Sequence, residues 1–332
     1  MVFNRDIGVF VQVGVISFEN SLFSASQIIL FSELVVSLTQ KEEHVVGLAT
    51  CLRHEFYFSA ENLESRKDYL IHLIQSQLQS NNLPYKLFYQ RECFEHLSRL
   101  MSGLESPILG ESHIQNQVKK AYQTAQNIKK LNSDLHFVFQ KSLKIAKFFR
   151  CNHGELLNKE SLEKKVIEQV IEMIRPEEPI LLIGNSDLNR NILNQLLLIG
   201  YQKIYLVSKT EPLSLAKKLA GKMSYDEIHK WGSFSGVIVA TSLKNARLRQ
   251  PQGSIQTKLM IDLSIPSVTD LIDLPCGAAY YDLTDLLEIV QQRQIHLKDW
   301  KIEQGISISS QVERQMILFY LRGLKKGQLL NR

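Results

Sequence analysis

Three regimes of apolar spacing follow one another along the chain. Residues 7–16 ("IGVFVQVGVI") carry a strand-like apolar run, and "HVVGLATC" (44–51) and "HEFYFSA" (54–60) read as two further strands. Between them, "SASQIILFSELVVSLTQ" (24–40) opens on serines suited to cap a helix and continues with apolar residues at helical spacing. A helix over 61–80 and a short strand over 85–90 follow. From 92 to 150 the pattern is helical, including "HIQNQVKKAYQTAQNIKK". These signals predict a mixed α+β domain over residues 1–155.

The second regime begins after a charged helical segment, "ESLEKKVIEQVIEMIR" (160–175), which stops at Pro176. "PILLIGNSDLNRNILNQLLLIGY" (179–201) is a buried apolar strand, a turn and an amphipathic helix ending at Gly200. "KIYLVSKT" (203–210), "GVIVATS" (236–242) and "KLMIDLSIP" (258–266) are further buried strands, and the alternation predicts a parallel, doubly wound sheet of Rossmann type over 156–282. In the third regime, 283–332, Leu286, Ile289, Val290, Gln294 and Leu297 begin a stripe that one long helix could carry. Such a helix needs a surface to pack on, from another domain or another subunit. The fold class is therefore an α/β multidomain chain.

Composition narrows the function classes. With 44% hydrophobic and 22% charged residues, the 332-residue chain has enough apolar side chains for real cores. The net charge of +5 suits an anionic partner without identifying one. Cys51, Cys93, Cys151 and Cys276 form no C-x-x-C pair, which excludes the usual zinc and thioredoxin-like spacings and leaves no disulfide framework. The N-terminal apolar run is interrupted by Asp6 and no run is long enough to span a membrane. A reducing, cytoplasmic setting is expected, with neither a membrane nor DNA among the partners.

Several residues could carry chemistry. In "ATCLRHEFY" (49–57), Cys51 is either a buried small hydrophobe or a nucleophile with Arg53 beside it; in an extended segment the two would share a side. The turn after the strand at 180 keeps only the first glycine of G-x-G-x-x-G: Gly184, Asn185, Ser186, Asp187, Leu188 and Asn189 are the candidate cofactor contacts there. Ser208, Lys209 and Thr241 are the candidates at the next strand ends. No carboxylate follows Val207, and Lys209 could pair with a 2′-phosphate, which favours NADPH over NADH. The stretch "SGLESPILGESHIQNQVKKAY" (102–122) is a glycine-punctuated loop feeding a helix, either a ligand-binding element or a capped surface helix. His96 sits among apolar helical neighbours, as a structural histidine would, and Cys93 reads as core. The basic stretches "QNQVKKAYQTAQNIKK" and "KSLKIAKFFR" are candidate phosphate contacts or solvated faces.

"ATCLRHEFY", "GLESPILGESHIQNQVKKAY", "FQKSLKIAKFFR", "LLIGNSDLNRNILNQLL" and "LMIDLSIPSVTD", in that order, resemble glutamyl-tRNA reductases, whose hallmark segments run S-T-C-N-R-x-E-x-Y and G-L-x-S-x-x-L-G-E-x-Q-I-x-x-Q-V-K-x-A. The resemblance runs to about Arg322. It implies NADPH-dependent reduction of glutamyl-tRNA(Glu) to glutamate-1-semialdehyde through a cysteine thioester, the first step toward tetrapyrroles. By the same resemblance Cys51 is the nucleophile and His96 lies near the active site. Thr50, Arg53, Ser106, Glu111 and Gln117 take the substrate-binding positions. The implied partners are glutamate-1-semialdehyde aminomutase and a second copy in a homodimer, with only the first helix of the C-terminal dimerisation region expected here. Departures are Leu52 for asparagine, Ala49 for serine, His113 for glutamine, Ser267-Val268 for Arg-Asp, and a lead "GVISFENS" without the usual basic residue. Two alternatives stay open: a tRNA- or partner-binding relative without hydride transfer, and a thiol esterase.

Overall fold

The computed structural model describes residues 11–111, 113–128, 131–157, 160–209, 219–241, 248–251, 254–269 and 272–330, with side chains to 322. Contacts divide the chain into two compact units, Met1–Asn158 with His296–Arg332, and Lys159–Ile295.

In the first unit β1 (Gly14–Glu19), β2 (Val45–Ala49), β3 (Arg53–Phe58) and β4 (Lys86–Tyr89) form an antiparallel sheet in the order β2-β3-β1-β4. Alternate residues face opposite sides, so each strand feeds two cores. Ile16, Phe18, Phe56 and Phe58 meet Phe31, Val35, Leu70 and Ile74 of α1 (Ala25–Lys41) and α2 (Leu63–Leu78). Val15, Val46, Leu48 and Tyr57 enter the other core with α3 (Gln90–Ser102), α4 (His113–Ile128) and α5 (Ser133–Leu157). Ser24 caps α1 in a reciprocal pair with Gln27, as the serine-rich lead predicts. The first strand lies later than the apolar run at 7–16, of which 7–10 fall outside the described residues. β1 continues through Ser17, because that side chain is buried and its hydroxyl donates to Glu55 (3.0 Å). A polar residue ended the apolar run without ending the strand.

The second unit is a six-stranded parallel sheet of β5 (Ile180–Ile183), β6 (Ile204–Val207), β7 (Gly221–Met223), β8 (Gly236–Val239), β9 (Leu259–Asp262) and β10 (Ala279–Asp282). Its order is β10-β9-β8-β5-β6-β7. From β5 the chain steps outward through β6 and β7, then returns to the other side of β5 for β8, β9 and β10. That is the dinucleotide-binding order, and its reversal opens a crevice at the carboxyl ends of β5 and β8. α6 (Leu162–Met173) and α7 (Asp187–Leu198) pack together, and Ile180–Ile183 is wholly buried. The edge strands β7 and β10 escaped the sequence reading because "GKM" and "AYYD" hold no apolar run.

The C-terminal region is helical, as predicted, but in two helices rather than one. α8 (Leu283–Arg293) belongs to the second unit and α9 (Lys298–Leu330) to the first, with a 3-10 turn at Ile295–Leu297 between them. Buried Gln294 makes the break: its N–H reaches back to the Val290 and Gln291 carbonyls. The stripe read from Leu286 divides: Leu286 and Val290 are fully buried on α8, whereas Leu297 joins the core of the first unit. α9 finds its surface within its own chain. Ile308 and Val312 join the core of α3 and α5, Phe319 stacks near Phe137 (4.2 Å), and a Cβ at Gly305 would lie 2.8 Å from Arg99 Nη1. Among the described residues no helix is long and apolar enough to cross a membrane.

If α9 is an integral part of the first unit, Ile308→Ala should destabilise it by about 2–4 kcal/mol, as large-to-small core changes do. Exposed Ile306→Ala should stay within about 0.5 kcal/mol. Urea unfolding midpoints of the two variants separate the cases.

Candidate active site

The hairpin between β2 and β3 carries the thiol. Ala49 pairs with His54, and Thr50, Cys51 and Leu52 make the turn between the end of β2 and Arg53, the first residue of β3. The Thr50 hydroxyl closes it, accepting the N–H groups of Leu52 (3.2 Å) and Arg53 (3.0 Å) and donating to the Arg53 carbonyl (3.0 Å). This corrects the extended geometry considered from sequence: Cys51 is at a turn tip and Arg53 opens a strand, so no alternation relates them. Thr50, expected as a substrate contact, has its hydroxyl engaged in shaping the turn.

Cys51 is exposed, whereas Cys93 is buried in the core as read from the sequence. Desolvation by the surrounding protein pushes the Cys51 thiol up to about 12 and the Glu111 carboxylate adds to the rise. The cysteine's own backbone N–H and the Arg53 guanidinium pull it down. The resting residue is therefore a neutral thiol at neutral pH.

Arg53 is held from two directions. Its Nη2 donates to the Glu105 carbonyl (2.7 Å), and its Nη1 lies 3.8 Å from Glu55 Oε1. Glu55 is fully buried on the same face of β3 and accepts from Ser17, from the Tyr57 hydroxyl (2.6 Å) and from His96 Nε2 (2.8 Å). Burial alone would raise the Glu55 carboxyl; His96, Arg53 and Tyr57 overcome it and hold it down at about 2. His96 lies flat on Phe88 (4.6 Å between ring centres), and it and Arg53 meet the same Glu55 oxygen.

The loop after α3 supplies the facing wall. Arg150 of α5 donates to the carbonyls of Gly110 (2.8 Å), Met101 (3.3 Å) and Glu111, pinning the segment that carries Glu111. Sequence reading had placed Arg150 in a candidate phosphate-binding stretch, but its guanidinium faces these carbonyls; Lys144 and Lys147 of that stretch are exposed. Ser106 is buried in the loop. Gln117 is exposed on α4, where with Ala49, Val35, Val36, Thr39 and Lys120 it lines an open groove of about 310 Å³. Thr50, Cys51, Arg53, Glu111 and, through Glu55, His96 thus come together, while Gln117 borders a neighbouring groove. Sequence reading missed Glu55, Arg150 and Asn20; only Glu55 had a signal, in the E-x-Y of its motif.

In the second unit the candidate nucleotide contacts gather at the carboxyl edge of the parallel sheet. Gly184 has φ +101°, and a Cβ there would lie 2.3 Å from the Ala240 carbonyl, so glycine is required. Ser186 caps α7 by accepting the Asn189 N–H (3.1 Å), and Asp187 in the first turn pairs with Arg190 (2.7 Å). Asn189 is buried and donates to the Ile183 (3.0 Å) and Gly184 (2.9 Å) carbonyls. Asn185 and Leu188 are half-buried beside them. The Lys209 ammonium lies 6.0 Å from the Tyr225 ring centre, and Tyr225 shares a hydrogen bond with Thr241. Tyr225 is a further residue that sequence reading missed. Ser208 and Lys209, the described residues after β6, carry no carboxylate. A helix N-terminus, hydroxyls, an aromatic face and one cation suit a phosphorylated dinucleotide. Among the described residues no cluster of His, Cys, Asp or Glu could hold a metal ion.

Together these units define a class of protein that joins a thiol-presenting hairpin to a dinucleotide-binding fold. The family model described as glutamyl-tRNAGlu reductase, N-terminal domain, matches residues 13–153. A glutamyl-tRNA reductase of Chlamydia pneumoniae is 31% identical over 284 residues, covering 83% of this chain and 78% of that protein. One of Chlamydia caviae is 31% identical over 261 residues, covering 76% and 74%. The solved glutamyl-tRNA reductase from Methanopyrus kandleri shares the fold, with a TM-score of 0.50 at 18% identity over 96% of this chain and 83% of that one. The chain belongs to the glutamyl-tRNA reductase family.

The charge balance around Cys51 has a direct consequence. Glu111→Gln removes a carboxylate that raises the thiol, so more thiolate is present at a given pH. Alkylation of Cys51 by iodoacetamide at pH 8 should quicken by roughly threefold or more, since each unit of lowered pKa gives tenfold more thiolate. An unchanged rate would mean that Glu111 does not act on the sulfur.

Proposed function

We propose that this chain reduces the glutamyl group of glutamyl-tRNA(Glu) to glutamate-1-semialdehyde with NADPH, through a thioester on Cys51. The observation that carries the reading is the hairpin tip, which presents an exposed thiol subject to the charges of both Arg53 and Glu111.

Arg53 offers a planar donor fork to the γ-carboxylate of the glutamyl group, and Glu55 keeps that fork oriented from below. Anchoring this end brings the ester carbonyl to the sulfur and replaces a chance encounter with a positioned one. Because the resting group is a thiol, its proton must leave as the C–S bond forms, and we assign its acceptance to Glu111, the carboxylate whose charge acts on the sulfur. The same proton then serves the ribose oxygen of the departing tRNA. The resulting thioester is a better hydride acceptor than the ester it replaces. NADPH, when bound, supplies the hydride that turns the thioester carbonyl into the aldehyde, and Cys51 sulfur leaves and regains a proton. Gly184–Leu188, Ser208, Lys209, Thr241 and Tyr225 would hold the nucleotide, with Lys209 meeting the 2′-phosphate, while buried Asn189, read from the sequence as a contact, ties the turn to the end of β5 instead. Glutamate-1-semialdehyde is a reactive product, which fits hand-over to an aminomutase in a reducing, cytoplasmic setting.

Single-turnover reaction with glutamyl-tRNA labelled in its glutamate tests this. Semialdehyde should form only with NADPH, and Cys51→Ser should abolish both reduction and ester cleavage, because an alcohol is a far weaker nucleophile at neutral pH. Free glutamate with or without NADPH would instead make the chain a thiol esterase, and intact glutamyl-tRNA throughout would make it a binding relative. For the nucleotide, Lys209→Ala should weaken NADPH binding about tenfold and NADH binding little, measured by nucleotide fluorescence. Equal loss would remove the 2′-phosphate role.

A further inference from the structure

Asn20 lies in a short 3-10 turn, Asn20–Leu22, directly after β1, and is 5% exposed. Its backbone and side chain together hold three consecutive carbonyls of the Cys51 turn. The side-chain Nδ2 donates to Thr50 O (3.2 Å) and Cys51 O (2.9 Å), and the backbone N–H donates to Leu52 O (2.8 Å). The remaining atom of the amide, Oδ1, meets His54 Nδ1 at 2.7 Å. An amide oxygen only accepts, so His54 donates from Nδ1 and its Nε2 faces the Ser32 hydroxyl (2.9 Å). His54 is buried against Phe31 (5.4 Å between ring centres, 18° between planes), which sets the ring and through it the amide.

We propose that Asn20 is a positioning residue for Cys51, fixing the peptide planes of the turn so that the cysteine's own N–H faces its sulfur. The geometry follows from peptide planarity. In a trans peptide the C=O and N–H point in opposite directions. Drawing the Thr50 carbonyl back to Asn20 therefore aims the Cys51 N–H away from Asn20, toward the reacting side. Holding the Cys51 carbonyl likewise turns the Leu52 N–H to the Thr50 hydroxyl. The Cys51 N–H is one of two groups that favour the thiolate, the other being Arg53, against burial and Glu111. Asn20 also supplies an amide to a turn in which Leu52 stands where the family motif has asparagine. The inference rests on Cys51 as the reacting group of the proposed function.

Two variants separate positioning from simple stability. Asn20→Ala removes both side-chain donations. Asn20→Asp is isosteric, keeps an acceptor for His54 and removes the donations, so it addresses the same turn if the alanine variant folds poorly. The deciding readout is the pH profile of Cys51 alkylation by iodoacetamide on the full chain, which needs no glutamyl-tRNA. Both variants should shift it to higher pH, and single-turnover kcat should fall about tenfold or more with KM for glutamyl-tRNA nearly unchanged. A folded variant with the wild-type alkylation profile overturns the proposal, even if its melting temperature drops. A wild-type protein that alkylates normally but never consumes glutamyl-tRNA would sink the proposed function instead, leaving the profile to judge Asn20.

Discussion

The working part of the first unit hangs on a reverse turn of three residues, because a thiol at a hairpin tip is only as well placed as the peptide planes on either side of it. Antiparallel pairing of β2 with β3 brings Ala49 opposite His54 and holds both ends of the turn. The Thr50 hydroxyl satisfies two inward N–H groups, and Asn20 satisfies three carbonyls. A turn with its polar groups answered by protein need not rearrange its hydrogen bonds with water when substrate arrives. β1 matters for the same reason: it is the central strand between β3 and β4, and its end delivers Asn20 to the turn.

Beneath the turn a second constraint fixes Arg53. Glu55 is a buried carboxylate whose desolvation would favour the neutral acid, yet it is held at about 2. His96, Arg53 and the Tyr57 hydroxyl outweigh burial, each brought by a different requirement of the fold. Tyr57 shares the face of β3 by strand alternation, His96 comes from α3, and Arg53 leads in from the turn. Removing one partner of such a buried pair characteristically costs about 3–5 kcal/mol, since the survivor is left charged without compensation. The arrangement therefore places the guanidinium rather than adding net stability. Glu55 acts as its anchor, and His96 acts on the site through that anchor.

Much of this was legible in the sequence, and the misses share a cause. The strands and helices flanking Cys51 followed from period-two and helical spacing, and the parallel sheet followed from alternating buried runs. Cys51, Arg53 and Glu111 were assigned through the resemblance of their motifs to the family, since the residues alone left Cys51 open between core and nucleophile and left the Glu111 segment open between a ligand element and a capped helix. Asn20 and Arg150 did not, because their partners lie about 30 to 50 positions away and nothing local marks them. Arg150 even suggested a phosphate contact, since a charged residue on a helix reads the same whether it meets solvent or a buried carbonyl. The single helix drawn from 283 failed for a related reason. Apolar spacing on α8 and α9 is continuous in character, and only the buried amide at 294 shows that the two stripes serve different cores.

The second unit shows how a dinucleotide fingerprint can erode unevenly. The three glycines of the dinucleotide fingerprint meet three separate demands: a tight turn, room for a phosphate, and close packing of helix on strand. Gly184 retains the first, with a positive φ and the Ala240 carbonyl where a Cβ would stand. Asn189 meets the third by another route. Instead of vacating the helix–strand contact, its amide fills it and donates to the two carbonyls that end β5. Only the second demand is altered, since Ser186 uses its hydroxyl as a cap on the Asn189 N–H that an anion could otherwise receive. The lost glycines are therefore not equal losses: one has been replaced by a tether and the other by a cap on the helix N-terminus.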